Sequence, residues 1–158
     1  MQYELGEVHA VMMGLKYAAV DEAAKSGTLP KRQVIEKINS LTKGAIDSFQ
    51  AFLKSFHVKS SDSGGESGLP ETFEDMNVRP VLSAYFHVAR LYTKFVETDP
   101  KRRVVNLQVA AGFYKKLVDY VDSHPEAMEA IEEEYKVSKE LVPMMEVKIK
   151  SIKNSVMN

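Results

Sequence analysis

Residues 77–98, NVRPVLSAYFHVARLYTKFVET, and residues 100–123, PKRRVVNLQVAAGFYKKLVDYVDS, lie on either side of a single aspartate, Asp99. In the first stretch Val78, Val81, Leu82, Tyr85, Ala89, Tyr92 and Val96 recur mostly at steps of three and four. In the second, Val104, Leu107, Ala111, Tyr114, Leu117, Val118 and Val121 do the same. Such steps line up one apolar stripe on a helix, whereas a half-buried strand would need two-residue alternation, which neither stretch sustains. Pro100 suits the first position of a helix, where its missing N–H would lack a partner anyway. Asp99 is then placed to cap that helix with a side-chain oxygen. Two long helices joined by so short a break must turn back on each other as an antiparallel hairpin.

The same reading extends outward. Gly27-Thr28-Leu29-Pro30 and Ser123-His124-Pro125 are further breaks, with Thr28, Asn77 and Ser123 near the expected caps. Leu5, Val8, Met12, Leu15 and Ala19 give a first stripe. Ile35, Ile38, Leu41, Ala45, Phe49, Phe52 and Leu53 give a second. Met128, Ile131, Tyr135, Val142, Met145, Ile149, Ile152 and Val156 give a last. The spacing predicts five helices, over 3–26, 30–57, 77–98, 100–123 and 125–156. Together they form one all-α domain, residues 1–158, interrupted by a flexible Ser/Gly-rich loop at 58–76. Helices 1–2 and 3–4 are expected as antiparallel hairpins, with helix 5 packed on helix 4. Pro143 removes a backbone donor inside the fifth helix and should bend it near Lys139 to Val142. The helices exceed those of the ~34-residue helical repeat, but Ala84…Val88-Ala89…Tyr92 and Ala111…Tyr114 echo its small–large alternation.

Composition narrows the function. Of 158 residues, 44% are hydrophobic and 27% charged, a soluble globular mix. Lys+Arg is 21 and Asp+Glu is 22, a net charge of −1 that gives no bulk attraction to nucleic acid or anionic membrane. The absence of cysteine excludes thiol catalysis, disulfides and cysteine-bound zinc, and fits a reducing compartment. No apolar run approaches the ~18 residues of a membrane span, and the N-terminal residues lack the basic-then-apolar order of a signal peptide.

Catalytic and metal patterns fail one by one. The positions three residues before His9, His57, His87 and His124 are Gly6, Lys54, Ala84 and Val121, so none carries the Glu of a di-metal bundle. Gly64-Gly65-Glu66-Ser67-Gly68 lacks the Lys-Ser/Thr of a phosphate loop. No catalytic residue, metal or cofactor is therefore expected. His87 reads as a packed helix residue, and His124 as a cap donating to a carbonyl at the end of the fourth helix. Met12, Met13, Met128, Met144 and Met145 read as core filler, with a methionine-rich groove for a partner helix as the alternative. Lys101-Arg102-Arg103 opens the fourth helix against its dipole, either solvated or held for a partner. Ser60, Ser61 and Ser63 stand open to phosphorylation. Of the acidic run Glu126, Glu129, Glu132, Glu133 and Glu134, residues 126, 129 and 133 would share a helix face. That face is either a solubilising one or a docking surface for a basic partner.

Several elements appear in one order. They are Asn77-Val78-Arg79-Pro80, Phe86-His87-Val88-Ala89-Arg90-Leu91-Tyr92-Thr93-Lys94, Asp99-Pro100-Lys101, Tyr114-Lys115-Lys116-Leu117-Val118-Asp119-Tyr120, His124-Pro125-Glu126 and Ser138-Lys139-Glu140. With Gln50-Ala51-Phe52-Leu53 and Met12-Met13 upstream, they resemble the C-terminal region of the kinesin-binding protein (KIF-binding protein) family in one register. The chain departs from the family in the early position of Pro143, in a longer, Ser/Gly-richer 58–76 loop, and in length, since family members are several times longer. It therefore reads as their final helices, either a fragment or a shortened relative.

The resemblance implies an α-solenoid of degenerate tetratricopeptide-like hairpins. It also implies a cytoplasmic, cytoskeleton-associated regulator that binds kinesin motor domains and blocks their attachment to microtubules. Roles in cytoskeletal organisation, axonal transport and neuronal development are implied by the same likeness. No contact residue is carried over from the family; charge complementarity with a motor's basic microtubule-facing surface makes Glu126, Glu129 and Glu133 the expected contacts. The alternative is a purely structural cap that completes the solenoid without touching a motor. An apolar face left open along the first helix leads to the expectation of weak self-association.

Overall fold

The computed structural model describes residues 31–60 and 75–157, with isolated positions Ala18, Glu22, Lys25 and Gly27 ahead of them; for 56–60, 75–77 and 157 it describes the backbone alone. Apart from those isolated positions, the expected first helix lies outside the described residues. So do its apolar face and the 61–74 part of the expected loop. Gly27 turns with φ 72°, the left-handed region where a residue lacking Cβ carries no steric cost.

The fold is all-α. Helix α1 spans Lys31–Ser60, α2 Asp75–Tyr92, α3 Pro100–Ser123 and α4 Met128–Met157, with a 3-10 turn at Pro125–Ala127 before α4. No strand occurs among the described residues. Helix α3 has the bounds its sequence predicts, and Asp99 caps it: in extended conformation, it accepts the Lys101 N–H on its side chain at 3.0 Å. The opposing charge of Lys101–Arg103 is offset locally, since Arg102 lies 3.8 Å from Asp99 and 4.0 Å from Glu97.

Helix α2 is the centre of the core. Val78, Val81, Leu82, Ala84, Tyr85, Val88, Ala89 and Leu91 are all buried, too many for a single stripe. The reason is that α2 packs against α1, α3 and α4 at once. From α1 come Ala45, Ile46, Phe49 and Leu53; from α3 Leu117, Tyr120 and Val121; from α4 Ile131 and Tyr135. Phe49 stacks on His87 at 5.3 Å between ring centroids, which fits the packed role expected of that histidine. Two buried hydroxyls turn back on their own helices: Thr42 donates to the Ile38 carbonyl at 2.7 Å and Ser138 to Glu134 at 2.6 Å. Among the described residues no buried side-chain nitrogen or oxygen lacks a partner. The exposed faces carry i,i+4 pairs, Arg32–Glu36, Lys43–Asp47, Lys115–Asp119 and Glu132–Lys136, which water screens so that they add little.

Four expectations need correction. The third helix starts at Asp75 and ends at Tyr92, not at 77 and 98. Asn77 is thus inside it rather than its cap, and Val96 lies exposed on the connector beyond the helix. The helix stops because Thr93 closes its last turn, donating both its N–H and its hydroxyl to the Arg90 carbonyl. Beyond it, Asp99 precedes a proline and is held extended. The second expected helix runs on to Ser60 rather than 57, so α1 and α2 take in residues 58–60 and 75–76 of the expected loop. The fifth helix opens with a 3-10 turn, and Ser123 ends α3 without capping the next element. Its break falls at Ile131 (φ −141°, ψ 30°) and not before Pro143, through which helical dihedrals continue. Ile131 itself is buried in the core that α4 shares with α1, α2 and α3.

Candidate functional site

The joint between α3 and α4 carries the acidic run. The His124 N–H donates to the Tyr120 and Val121 carbonyls, at 2.9 and 3.1 Å. Its ring Nδ1 lies 3.0 Å from the Tyr120 carbonyl, which can only accept, so this nitrogen carries the proton. The capping role read from sequence is therefore present. The imidazole also stacks on Tyr120 at 4.2 Å. Burial, and secondarily the Glu126 carboxylate, push the Tyr120 hydroxyl up to about 12. Across the joint Tyr135 donates to Asp122 at 2.6 Å, and Lys139 donates to Tyr135 at 3.0 Å. That chain of bonds ties the end of α3 to the second turn of α4.

Glu126 sits in the 3-10 turn, while Glu129 and Glu133 lie on either side of Ile131. All three are exposed and none has an ion-pair partner among the described residues. Their spacing no longer implies a shared face, because no unbroken helix runs through them. Glu132 is different: Lys136 bonds it and lowers its pKa. Among the described residues, no group of three or more His, Asp or Glu could hold a metal ion. No described helix is long and apolar enough to cross a membrane.

A second surface bears on the alternative reading of the methionines, a groove for a partner helix. A groove of about 600 Å³ runs between α2, α3 and α4. Phe86, Leu107, Tyr114, Leu141 and Met145 form its floor, and Phe86 meets Tyr114 edge to face at 5.8 Å. Val137 and Met144 stand on its α4 side, 41% and 60% exposed. Met144 is therefore not the core filler its spacing suggested, whereas its neighbour Met145 is buried. Arg90, Lys94 and Lys148 rim the groove, and no carboxylate lines it. The signal for it was present: Arg90 and Lys94 are i,i+4, and Val137, Leu141, Met144 and Lys148 succeed one another at steps of three and four.

Comparison with known proteins fixes the family. A family model described as KIF-1 binding protein C terminal matches residues 1–152. The KIF-binding protein of Mus musculus is 36% identical over 149 residues, 94% of this chain and 22% of that protein. The Homo sapiens protein is 34% identical over 156 residues, 99% of this chain and 24% of its own length. The Drosophila melanogaster protein is 27% identical over 154 residues, 96% of this chain and 24% of its own. The chain thus spans under a quarter of the length of these curated relatives. No solved structure matches it. With so nearly complete a match, the resemblance read from the motifs holds, and the chain belongs to the KIF-1 binding protein C-terminal family.

Proposed function

We propose that the chain is a non-catalytic interaction module of a kinesin regulator, and that it binds a kinesin motor domain. The observation that carries this reading is the family match across residues 1–152, with relatives named for binding KIF proteins. By the same reading the module belongs to a solenoid of tetratricopeptide-like hairpins in the cytoplasm. It acts on the cytoskeleton by keeping motors off microtubules, with consequences for axonal transport and neuronal development. Packing of α2 against both α3 and α4 suits such stacked hairpins.

Tubulin is acidic, so the surface a motor turns toward it is basic. Glu126, Glu129 and Glu133 supply exposed carboxylates with no ion-pair partner among the described residues. Complementary charge of this kind speeds encounter and sets orientation more than it adds affinity. The alternative, a purely structural cap, asks for a polar outer face on the last helix. Met144, Val147 and Val156 stand exposed on α4 instead, which speaks for a binding surface.

The test is a pull-down of purified kinesin motor domains with this chain and with its Glu126→Lys/Glu129→Lys/Glu133→Lys variant, followed by association rates across ionic strength. Capture by the parent chain, with slower and less salt-dependent association for the variant, supports the proposal. Capture with identical rates refutes the role of the three glutamates, and no capture refutes motor binding by this chain.

A further inference from the structure

The groove between α2, α3 and α4 differs in charge from the acidic joint and from two other grooves on the described surface. Glu97 lines the one beside Asn39 and Phe95, and Arg102 there lies within 4.0 Å of that carboxylate. Glu146 lines the one beside Gly112, where Lys115 pairs with Asp119 at 2.7 Å. In the groove over Phe86 and Met145, every charged liner is a cation. Arg90, Lys94 and Lys148 are exposed, and no carboxylate pairs with them among the described residues. Beneath these cations lies an apolar floor, and Val137 and Met144 stand open beside it. Unpaired cations around exposed apolar side chains are complementary to one kind of occupant: an apolar stripe flanked by carboxylates.

We infer that this groove binds an acidic amphipathic helix of a partner protein. The partner's apolar side chains would lie on Phe86, Leu107 and Leu141, and its carboxylates would meet Arg90, Lys94 and Lys148. Residues 137–148 of α4 rise about 16 Å, the length of three turns of a docked helix. Methionine suits such a site because its unbranched, polarizable side chain adapts to the surface laid against it. A basic partner face is excluded here by the same three cations. The groove is thus separate from the glutamates assigned to the motor, and the inference stands or falls without that assignment.

The probe is a labelled peptide of about five helical turns with leucines at helical spacing and glutamates flanking them. Its control has the same leucines and lysines in place of the glutamates. Fluorescence anisotropy with the full chain should show saturable, salt-weakened binding of the acidic peptide, at least about tenfold tighter than the control. Lys94→Glu with Lys148→Glu should weaken it about tenfold, and Met144→Asp should weaken it while circular dichroism stays unchanged. These positions are exposed, so the fold tolerates the substitutions. Equal binding of both peptides, no saturable binding, or binding indifferent to the variants would overturn the inference. A dimer in sedimentation that Lys94→Glu with Lys148→Glu dissolves would also overturn it, giving the groove to a second copy.

Discussion

The Asn39 carboxamide holds the backbone of Val96 from both sides: its Nδ2 donates to the Val96 carbonyl at 3.0 Å, and its Oδ1 accepts the Val96 N–H at 2.9 Å. A side chain of α1 thereby supplies the pairing that a neighbouring strand would give, and it fastens the 95–99 connector after α2 has ended. Asn39→Ala should destabilise the chain by about 1–2 kcal/mol in urea denaturation. Asn39→Asp, which keeps the acceptor and loses the donor, should cost less than the alanine. Amide exchange at Val96 should accelerate more in Asn39→Ala, which removes the acceptor of its N–H. An unchanged midpoint for Asn39→Ala would mean that the connector is held by its apolar contacts alone.

Tyrosine ionisation gives a pH signature. Burial pushes the Tyr85 hydroxyl from 10.0 up to about 12, and Tyr120 is raised to about 12 by burial and then by Glu126. Tyr114 is raised by burial as well, against an opposing pull from Arg90. A raised folded-state pKa means that the native state keeps protons the unfolded chain loses. The contribution to stability is therefore fully present below pH 10 and is lost as pH climbs toward about 12. Phenolate absorbance should show a late-titrating fraction, and Glu126→Gln should bring Tyr120 down toward its ordinary value. A single transition for all tyrosines near pH 10 would contradict the packing around Tyr85.

Periodicity carried most of the fold. The bounds of α3 were legible because Asp99-Pro100 and His124-Pro125 are local signals that need no tertiary partner. The end of α2 was not. Val96 continues the apolar period, yet its partner is Asn39, 57 positions away, and no local pattern encodes such a contact. Pro143 shows the converse. As a local breaker it pointed to a kink, while the departure from helical geometry sits at Ile131, a buried core residue with no local breaker signal. For the surfaces, residue type was legible and orientation was not. The glutamates were visible as charge but assigned to a face that the 3-10 turn and Ile131 interrupt. The groove needs Arg90 and Lys148 from different helices, so only tertiary structure brings it together.

Two helical glycines are open to improvement. Gly44 and Gly112 lie inside α1 and α3, both exposed, and a Cβ added to either meets nothing within 4 Å. Glycine in a helix interior costs roughly 1 kcal/mol relative to alanine, through the freedom of the unfolded chain. Gly44→Ala and Gly112→Ala should each raise the thermal midpoint by a few degrees, and about additively, since they sit on different helices. A fall in midpoint for Gly112→Ala would show that its face is covered in solution.

Met144 and Met145 are neighbours on α4, turned about 100° apart by the helix, and they face different surroundings. Met145 is 7% exposed and packs with Ala89, Ala110 and Tyr114; Met144 is 60% exposed at the groove. Truncating a buried methionine leaves a cavity, so Met145→Ala should cost about 2 kcal/mol or more in urea denaturation. Met144→Ala should change stability by no more than about 0.5 kcal/mol while weakening capture of the acidic peptide. The pair separates two roles that sequence spacing treats alike. If Met144→Ala destabilises the chain as much as Met145→Ala, then Met144 is covered in solution and the groove is not open to a partner helix.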